Sequence, residues 1–150
     1  MLNSSEILGL IPGGKSDRLA FTSCTANTTR LAQTVCAFAN DMPGHRKPGY
    51  LIVGVNTGGS PCGLAMTAEL LQQLNTVCLA GDITPAPVVV IGTLPLADGE
   101  VAVVQVEPSA TPPVRYMGQV WIRVGPRKAL ASEQELRLLA TRCAVAVSRI

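Results

Sequence analysis

A helical pattern followed by a short apolar strand constrains the fold more than any other feature of the sequence. Residues 28–40 repeat apolar side chains at helical spacing, and Thr28 or Thr29 can cap the start. The side chains of this buried face are Leu31, Val35 and Phe38. Residues 41–49 hold two prolines and two glycines, which exclude a helix or central strand. Residues 50–55 then predict a strand that is buried on both faces.

The rest of the pattern predicts three more helices and the remaining strands of a sheet. The further helices are expected at residues 4–11, 67–80 and 132–147. Their expected N-caps are Ser4 or Ser5, Thr67, and Ser132 in a capping box with Glu135. The further strands are expected at residues 19–23, 88–91, 101–106 and 119–124. The pair Asp98-Gly99 predicts a hairpin turn between the second and third of these strands.

The length and the order of these elements predict the fold class. A chain of 150 residues is normally one domain with a core of its own. We therefore expect a single α+β domain over residues 1–150. Its sheet is expected to be mixed, largely antiparallel and built from five or six strands, with the helices packed against it.

The composition excludes several classes of protein. The net charge is only +2, so any nucleic-acid binding has to come from a local basic patch. Aromatic residues make up 3% of the chain, which supplies little for a base-stacking surface. Although 47% of the residues are hydrophobic, no run approaches the ~20 apolar residues that cross a bilayer. The N-terminus lacks a signal-peptide pattern, so a soluble cytoplasmic protein without a membrane partner is expected.

The cysteines and the histidine predict no metal or cofactor. The five cysteines include no Cys-x-x-Cys pair, and the chain has one histidine, so we expect no zinc site and no cofactor. Cys36 and Cys62 border the helix–strand unit, but neither has a base motif nearby, so packing is their expected role. His45 has no nucleophile nearby in sequence and is expected to be an exposed loop residue.

Residues 9–16 match the phosphate-loop pattern of glycine, four residues, glycine, lysine and serine. That loop requires a buried strand before it and a helix that begins at the lysine, because amides and helix dipole must converge on phosphate. Here a capped helical turn precedes the motif, and a strand pattern follows it. The match is therefore expected to be accidental.

Three segments resemble a known family. They are residues 35–40 (Val-Cys-Ala-Phe-Ala-Asn), 50–55 (Tyr-Leu-Ile-Val-Gly-Val) and 120–125 (Val-Trp-Ile-Arg-Val-Gly). In order and spacing they resemble the Schlafen AlbA-like domain, over residues 6–142. The resemblance implies a nucleic-acid-binding module whose partner is DNA or RNA. Members of the family occur alone or at the front of larger proteins, so both arrangements remain open for this chain.

The resemblance also implies where a nuclease site would lie. Nuclease-active relatives carry a Gly-Glu-Ser segment, a Glu-Phe-Lys strand and a later aspartate, whose three carboxylates hold metal. The matching positions here are Lys15, Ala20, and Asn56 with Thr57. Because none of these residues is a carboxylate, the implied site cannot recruit a divalent metal. A metal-dependent nuclease is therefore the lowest-ranked alternative, and no catalytic residue is predicted.

A group of basic residues is the main binding candidate. The expected phosphate contacts are Arg115, Arg123, Arg127 and Lys128, with Arg46 and Lys47 as secondary contacts. Alternation along residues 119–124 places Arg123 and Trp121 on one face, and Val120, Ile122 and Val124 on the other. Without the resemblance, solvated surface charge is the simpler interpretation, and with it the two interpretations are about even. Trp121 can stack on a base or contact another subunit.

A second class of function is assembly. Residues 143–147 are apolar and extend the last predicted helix, so they can pack against another copy of the chain. A homo-oligomer is therefore expected. Under this alternative, the domain is a structural module whose active site has been lost.

Overall fold

The fold is that of a computed structural model, which describes residues 2–23, 27–56, 60–97 and 99–148, with side chains up to residue 142. The helices in these residues are α1 (Ser4–Leu10), α2 (Thr28–Asn40), α3 (Ala68–Leu79) and α4 (Glu133–Ser148). The strands are β1 (Leu19–Thr22), β2 (Gly49–Val53), β3 (Ile83–Thr84), β4 (Val89–Leu96), β5 (Gly99–Val106), β6 (Arg115–Tyr116), β7 (Trp121–Val124) and β8 (Arg127–Leu130). Every predicted helix and strand is present, and β3, β6 and β8 are additional.

Four strands form the main sheet, in the order β1-β2-β5-β4. β1 and β2 are parallel, whereas β5 is antiparallel to both β2 and β4. The predicted α+β fold with a mixed, largely antiparallel sheet is confirmed. The predicted strand number is too high for this sheet, since β3 pairs with β6, and β7 with β8, in separate ribbons. Pro85 directly follows β3 and Pro113 lies shortly before β6, and proline lacks the amide that would extend the ladder.

β2 lies at the centre of the core, and all five of its residues are buried, as predicted. On one face of the sheet, Leu51 and Val53 pack with side chains of α2 and α3. On the other face, Tyr50 and Ile52 pack with Ile7 of α1. A separate apolar cluster joins α4 to β7. The sheet is therefore covered on both faces, and α2 lies between it and the β7–β8 ribbon.

Two helix caps differ from the prediction. α2 was expected to be capped by Thr28 or Thr29, but the side chain of Asn27 accepts a hydrogen bond from the Arg30 amide at 3.1 Å. Asn3 likewise caps α1, one residue before the predicted serines. An asparagine oxygen is as good a cap acceptor as a serine or threonine hydroxyl. The predicted helices were therefore right, whereas the capping residue lay one position upstream.

The predicted caps of α3 and α4 and the predicted hairpin are confirmed. Thr67 caps α3 by accepting from a backbone amide. Ser132 and Glu135 exchange the two hydrogen bonds of a capping box at the start of α4. β4 and β5 form the predicted hairpin, with Gly99 as the first residue of β5. Asp98, the other residue of the predicted turn, lies outside the described residues.

Candidate functional site

A basic cleft of about 730 Å³ opens between β1, the first half of α2 and the β7–β8 ribbon. Its basic lining residues are Lys15, Arg30, Arg123, Arg127 and Lys128. The lining described for this cleft includes no aspartate or glutamate. Because the cations are not balanced by carboxylates in the lining, the cleft is a positive surface that attracts anions.

The β7–β8 ribbon places two of these basic residues side by side. Its register pairs Arg123 with Lys128, and Val124 with Arg127. The turn contains Gly125, whose φ of 59° is a left-handed conformation that glycine adopts without strain. Side chains directly opposite each other in an antiparallel pair lie on the same face. Arg123 and Lys128 therefore both reach the cleft.

Arg123 is buried, with 6% of its surface exposed, whereas the sequence predicted a surface side chain. Its Nη2 donates to the backbone oxygens of Ser16 at 2.6 Å and Leu19 at 3.0 Å. Its guanidinium lies 5.1 Å from the centre of the Phe38 ring. Burial lowers the pKa of Arg123 to about 10, so the group stays charged at neutral pH. Arg123 thus forms the floor of the cleft and not its rim.

The predicted alternation along residues 119–124 is wrong at its end. Ile122 is buried beside α4, as expected, but Val124 is 56% exposed. β7 lies between α2 and α4, so the side chains on both of its faces are covered at its centre. Alternation predicts burial correctly only where one face is packed and the other is solvated. Arg123 is buried for this reason.

Lys128 and Arg30 add charge to the same cleft. The Nζ of Lys128 lies 5.8 Å from the centre of the Trp121 ring, which is a cation–π arrangement. The pKa of Lys128 is lowered mainly by burial, and then by the charges of Arg30 and Arg123. Arg30 and Arg123 therefore both repel Lys128 within the cleft. An anion bound among them would relieve this repulsion.

Arg30 was not among the predicted contacts. It lies in the first turn of α2, where a positive side chain opposes the helix dipole. Arg30 and Thr34 are four residues apart on one side of the helix, and both line the cleft. An arginine in this unfavourable position was the sequence signal that could have revealed it.

The remaining predicted contacts lie away from this cleft. Arg115 is exposed on β6 and is not part of the cleft lining. Arg46 lines a second cleft of about 830 Å³ together with Arg142, and Lys47 is exposed beside it in the chain. The predicted contacts that the cleft brings together are Arg123, Arg127 and Lys128. The expected single patch is therefore divided among separate parts of the surface.

The positions matched to nuclease carboxylates converge in space. Lys15, Ala20 and Asn56 all line the basic cleft, while Thr57 lies outside the described residues. Lys15 follows the 3₁₀ turn Ile11–Gly13 and precedes β1, so no helix begins at this lysine. The phosphate-loop geometry is therefore missing, and that motif is accidental, as predicted.

Among the side chains that the structure describes, His45 and the cysteines do not form a nucleophilic site with one another. His45 is exposed, as predicted, and its Nε2 lies 2.8 Å from Oδ2 of Asp17. The Cys36 thiol is buried and donates to the Val114 oxygen at 3.2 Å, and burial raises its pKa to about 11. Cys62 is exposed and donates to a backbone oxygen. Cys36 is thus an unreactive thiol that packs in the core.

The described residues contain neither a metal-binding cluster nor a membrane-spanning helix. In that part of the chain, no group of three or more histidine, cysteine, aspartate or glutamate side chains is arranged to hold a metal ion. None of the helices found there has the length and apolar character that crossing a bilayer demands.

Two solved structures are similar to this chain. The DIP2311 protein from Corynebacterium diphtheriae is 20% identical, with a TM-score of 0.57 over 88% of this chain and 30% of its own length. The second is the N-terminal domain of a RecG-related protein from Nitrosomonas europaea, named for its relation to an ATP-dependent DNA helicase. It is 24% identical, with a TM-score of 0.54 over 72% of this chain and 74% of that domain. Likeness at these identities shows the fold. No curated protein matches significantly.

A match to a protein-family model assigns the chain to a family. The model described as Schlafen, AlbA_2 matches residues 15–132, within the 6–142 span of the predicted resemblance. The matched span begins at the first lysine of the basic cleft and continues past the β7–β8 ribbon. It therefore includes α2, the main sheet and all five basic lining residues. The chain belongs to the Schlafen AlbA_2 family.

Proposed function

We propose that this domain binds nucleic acid without cutting it, and that the basic cleft is the binding surface. The observation that carries the proposal is a lining with five basic side chains and no carboxylate among the described residues. Nucleic-acid backbones are bound chiefly through phosphate charge, which arginine and lysine neutralise. Family membership and the helicase-related name of one structural neighbour support the same class of ligand.

The expected absence of nuclease activity rests on the chemistry of the same lining. Lys15, Ala20 and Asn56 line the cleft at the positions that the resemblance assigns to metal-binding carboxylates. Mg²⁺ and Mn²⁺ prefer carboxylate oxygens, which lysine and alanine do not offer. The direct assay is incubation with tRNA and with single- and double-stranded DNA in the presence of either ion. Cleavage that persists through repurification would contradict a non-catalytic function.

We choose the proposed phosphate contacts by how far each basic side chain is exposed to solvent. Lys15, Arg30 and Arg127 are exposed at the cleft, and Lys128 is half-buried there, so all four can reach a phosphate. Arg123 lies beneath them. Arg115, Arg46 and Lys47 are exposed outside the cleft, and we propose them as secondary contacts for a strand that extends beyond it. Binding of this kind depends on charge and is expected to be nearly independent of base sequence.

The salt dependence of binding tests the cleft as the surface. Replacing Arg127 and Lys128 together by alanine removes two cleft cations. We expect affinity at low salt to fall and the slope of log affinity against log salt to decrease by about two, because each lost phosphate contact removes about one released counterion. Fluorescence-anisotropy titrations with labelled DNA and RNA, at several salt concentrations, measure both quantities.

A matched variant distinguishes the cleft from diffuse surface charge. Arg46→Ala combined with Lys47→Ala removes the same charge from exposed positions outside the cleft. This control is expected to change the slope by less than half as much as the cleft pair. Equal changes in the two variants would show that the cleft has no special role. No detectable binding of either nucleic acid by the wild-type protein at low salt would overturn the proposal.

We also propose that the domain forms a homo-oligomer through β4. This strand lies at the edge of the main sheet, spans eight residues and carries no charged side chain. Monomeric proteins usually protect such edges with charges or proline, because an unpaired strand edge recruits another strand. The one proline of β4, Pro95, lies at the end of the strand beside the hairpin turn. Sedimentation velocity is expected to show a dimer that Thr93→Lys weakens. A wild-type monomer at high concentration would contradict this arrangement.

A further inference from the structure

The floor of the basic cleft has hydrogen-bonding capacity that the protein does not use. The described hydrogen bonds of Arg123 all come from Nη2, and its Nε has no partner among the described residues. The side chain lines the cleft although it is more than nine-tenths buried. A buried polar group without a partner costs free energy, and a charged group costs more than a neutral one. The guanidinium therefore lies at the floor of the cleft with a donor group that the described residues leave unpaired.

Further positive groups converge on the same floor. Lys128 lies opposite Arg123 in the ribbon, and Arg30 is close enough to lower the Lys128 pKa through its charge. α2 also begins here, since Asn27 and Arg30 both line the cleft, and a helix N-terminus favours anions. Asp17 is the carboxylate whose charge acts on Arg123, and its Oδ2 is engaged by His45. The local balance of charge is positive, and Asp17 offsets part of it.

We propose that the floor of the cleft binds a terminal phosphate monoester of a nucleic-acid strand, with Arg123, Arg30 and Lys128 as its ligands. This inference rests on the proposed nucleic-acid binding and adds specificity for strand ends. The chemical class is a phosphate monoester, whether it stands at the 5′ or the 3′ end. Lys15 and Arg127, which are exposed at the same cleft, then contact the adjoining backbone.

Charge favours a monoester over an internal phosphodiester. A monoester carries close to two negative charges at neutral pH and three terminal oxygens, whereas a phosphodiester carries one charge. The repulsion that Arg30 and Arg123 exert on Lys128 is offset better by the group with more charge. Three oxygens can also accept hydrogen bonds from three separate side chains.

The depth of Arg123 in the cleft also favours a terminal phosphate. Arg123 is reached only at the bottom of the cleft, because 94% of its surface is covered by protein. An internal phosphate is flanked by nucleosides on both sides, and these have to descend with it to reach a buried guanidinium. A terminal phosphate is flanked on one side only. A strand end can therefore enter phosphate-first while the rest of the strand lies across the exposed cations.

The test compares strand ends that differ in a single phosphate. Labelled oligonucleotides of one sequence and about 12 nucleotides carry a 5′-phosphate, a 3′-phosphate or hydroxyls at both ends. Fluorescence anisotropy at one fixed salt concentration measures their affinities for the wild-type protein. We expect one phosphorylated end to bind about tenfold more tightly than the hydroxyl ends, as for a ligand that gains charge-assisted hydrogen bonds.

Single substitutions test whether the cleft floor causes the preference for a phosphorylated end. Arg30→Ala and Lys128→Gln are expected to reduce the preference to less than about threefold. The melting temperature is expected to change little, since neither side chain makes a hydrogen bond with the described residues and the contact of Lys128 with Trp121 is a weak cation–π interaction. Arg123→Lys is a further variant, but it removes structural bonds and is interpreted only if it folds. Arg137→Ala, at an exposed position on α4, is the control of equal charge and is expected to retain the preference.

The outcomes separate the two proposals. Equal binding of all three oligonucleotides would overturn end recognition and leave nucleic-acid binding in place. A preference that persists in both Arg30→Ala and Lys128→Gln would overturn the assignment of the floor. Absence of binding by every oligonucleotide at low salt would overturn both proposals.

Discussion

Replacing Asn40 by alanine is expected to lower the free energy of unfolding by roughly 3 kcal/mol. The buried amide of Val114 would lose its acceptor, and two backbone oxygens would each lose a donor. Asn40 is 2% exposed at the C-terminal end of α2. Its Nδ2 donates to the backbone oxygens of Val114 at 2.9 Å and Trp121 at 2.7 Å. Its Oδ1 accepts from the Val114 amide at 2.6 Å. One amide side chain thus ties α2 to both β7 and the segment before β6.

Urea unfolding followed by circular dichroism measures this loss. Asn75→Ala, which removes the same side chain from an exposed position on α3, is the matched control and is expected to change stability by less than about 0.5 kcal/mol. A loss of under 1 kcal/mol for Asn40→Ala would mean that water replaces the missing amide. Because β7 carries Arg123 into the cleft, the destabilised variant is also expected to bind nucleic acid more weakly.

Replacing Gly49 by alanine is expected to cost about 3 kcal/mol, at the upper end of what overpacking a core produces. Gly49 begins β2 and is buried, and α2 crosses directly over it. A Cβ at this position would lie 2.8 Å from the Cβ of Phe38 and closer still to its ring carbons. The ring cannot retreat freely, because it packs in the core and also lies against the guanidinium of Arg123.

Thermal and urea unfolding of Gly49→Ala measure this effect. Gly9→Ala in α1 is the control, since nothing lies within 4 Å of a Cβ added there. That control is expected to be neutral or slightly stabilising, as for glycine replaced by alanine in a helix. Adding Phe38→Leu to Gly49→Ala is expected to recover part of the loss. If Gly49→Ala unfolds like the wild type, the helix and strand do not approach as closely as described.

Local patterns in the sequence predicted most of the helices and strands. α2 and α3 begin and end within a residue or two of their predicted bounds, because their apolar residues repeat at helical spacing. β2 was recognisable because a short, wholly apolar run between breakers is typical of a strand covered on both faces. The N-cap of α4 was predicted from the capping-box pattern of residues 132–135. Each of these features depends on neighbours in the chain.

The candidate site was predictable only in part. Arg127 and Lys128 were recognised because they are basic and follow a strand, and both line the cleft. Arg30 was missed because the sequence does not show that the start of α2 faces the β7–β8 ribbon. Arg46 and Lys47 were grouped with the others on charge alone, although their loop lies beside a different cleft.

The sequence by itself determined the class of fold, the order of its elements and the family, because periodicity, turn residues and segment order are properties of neighbouring residues. Tertiary structure alone decided which basic residues share a surface and which are buried. Arg123 is the clearest case. Its alternation with Ile122 predicted a solvated side chain, but α2 and α4 cover both faces of β7, and the guanidinium bonds to the backbone oxygens of Ser16 and Leu19, more than a hundred residues away in the chain. Burial depends on what packs against a strand, and no local pattern specifies that partner.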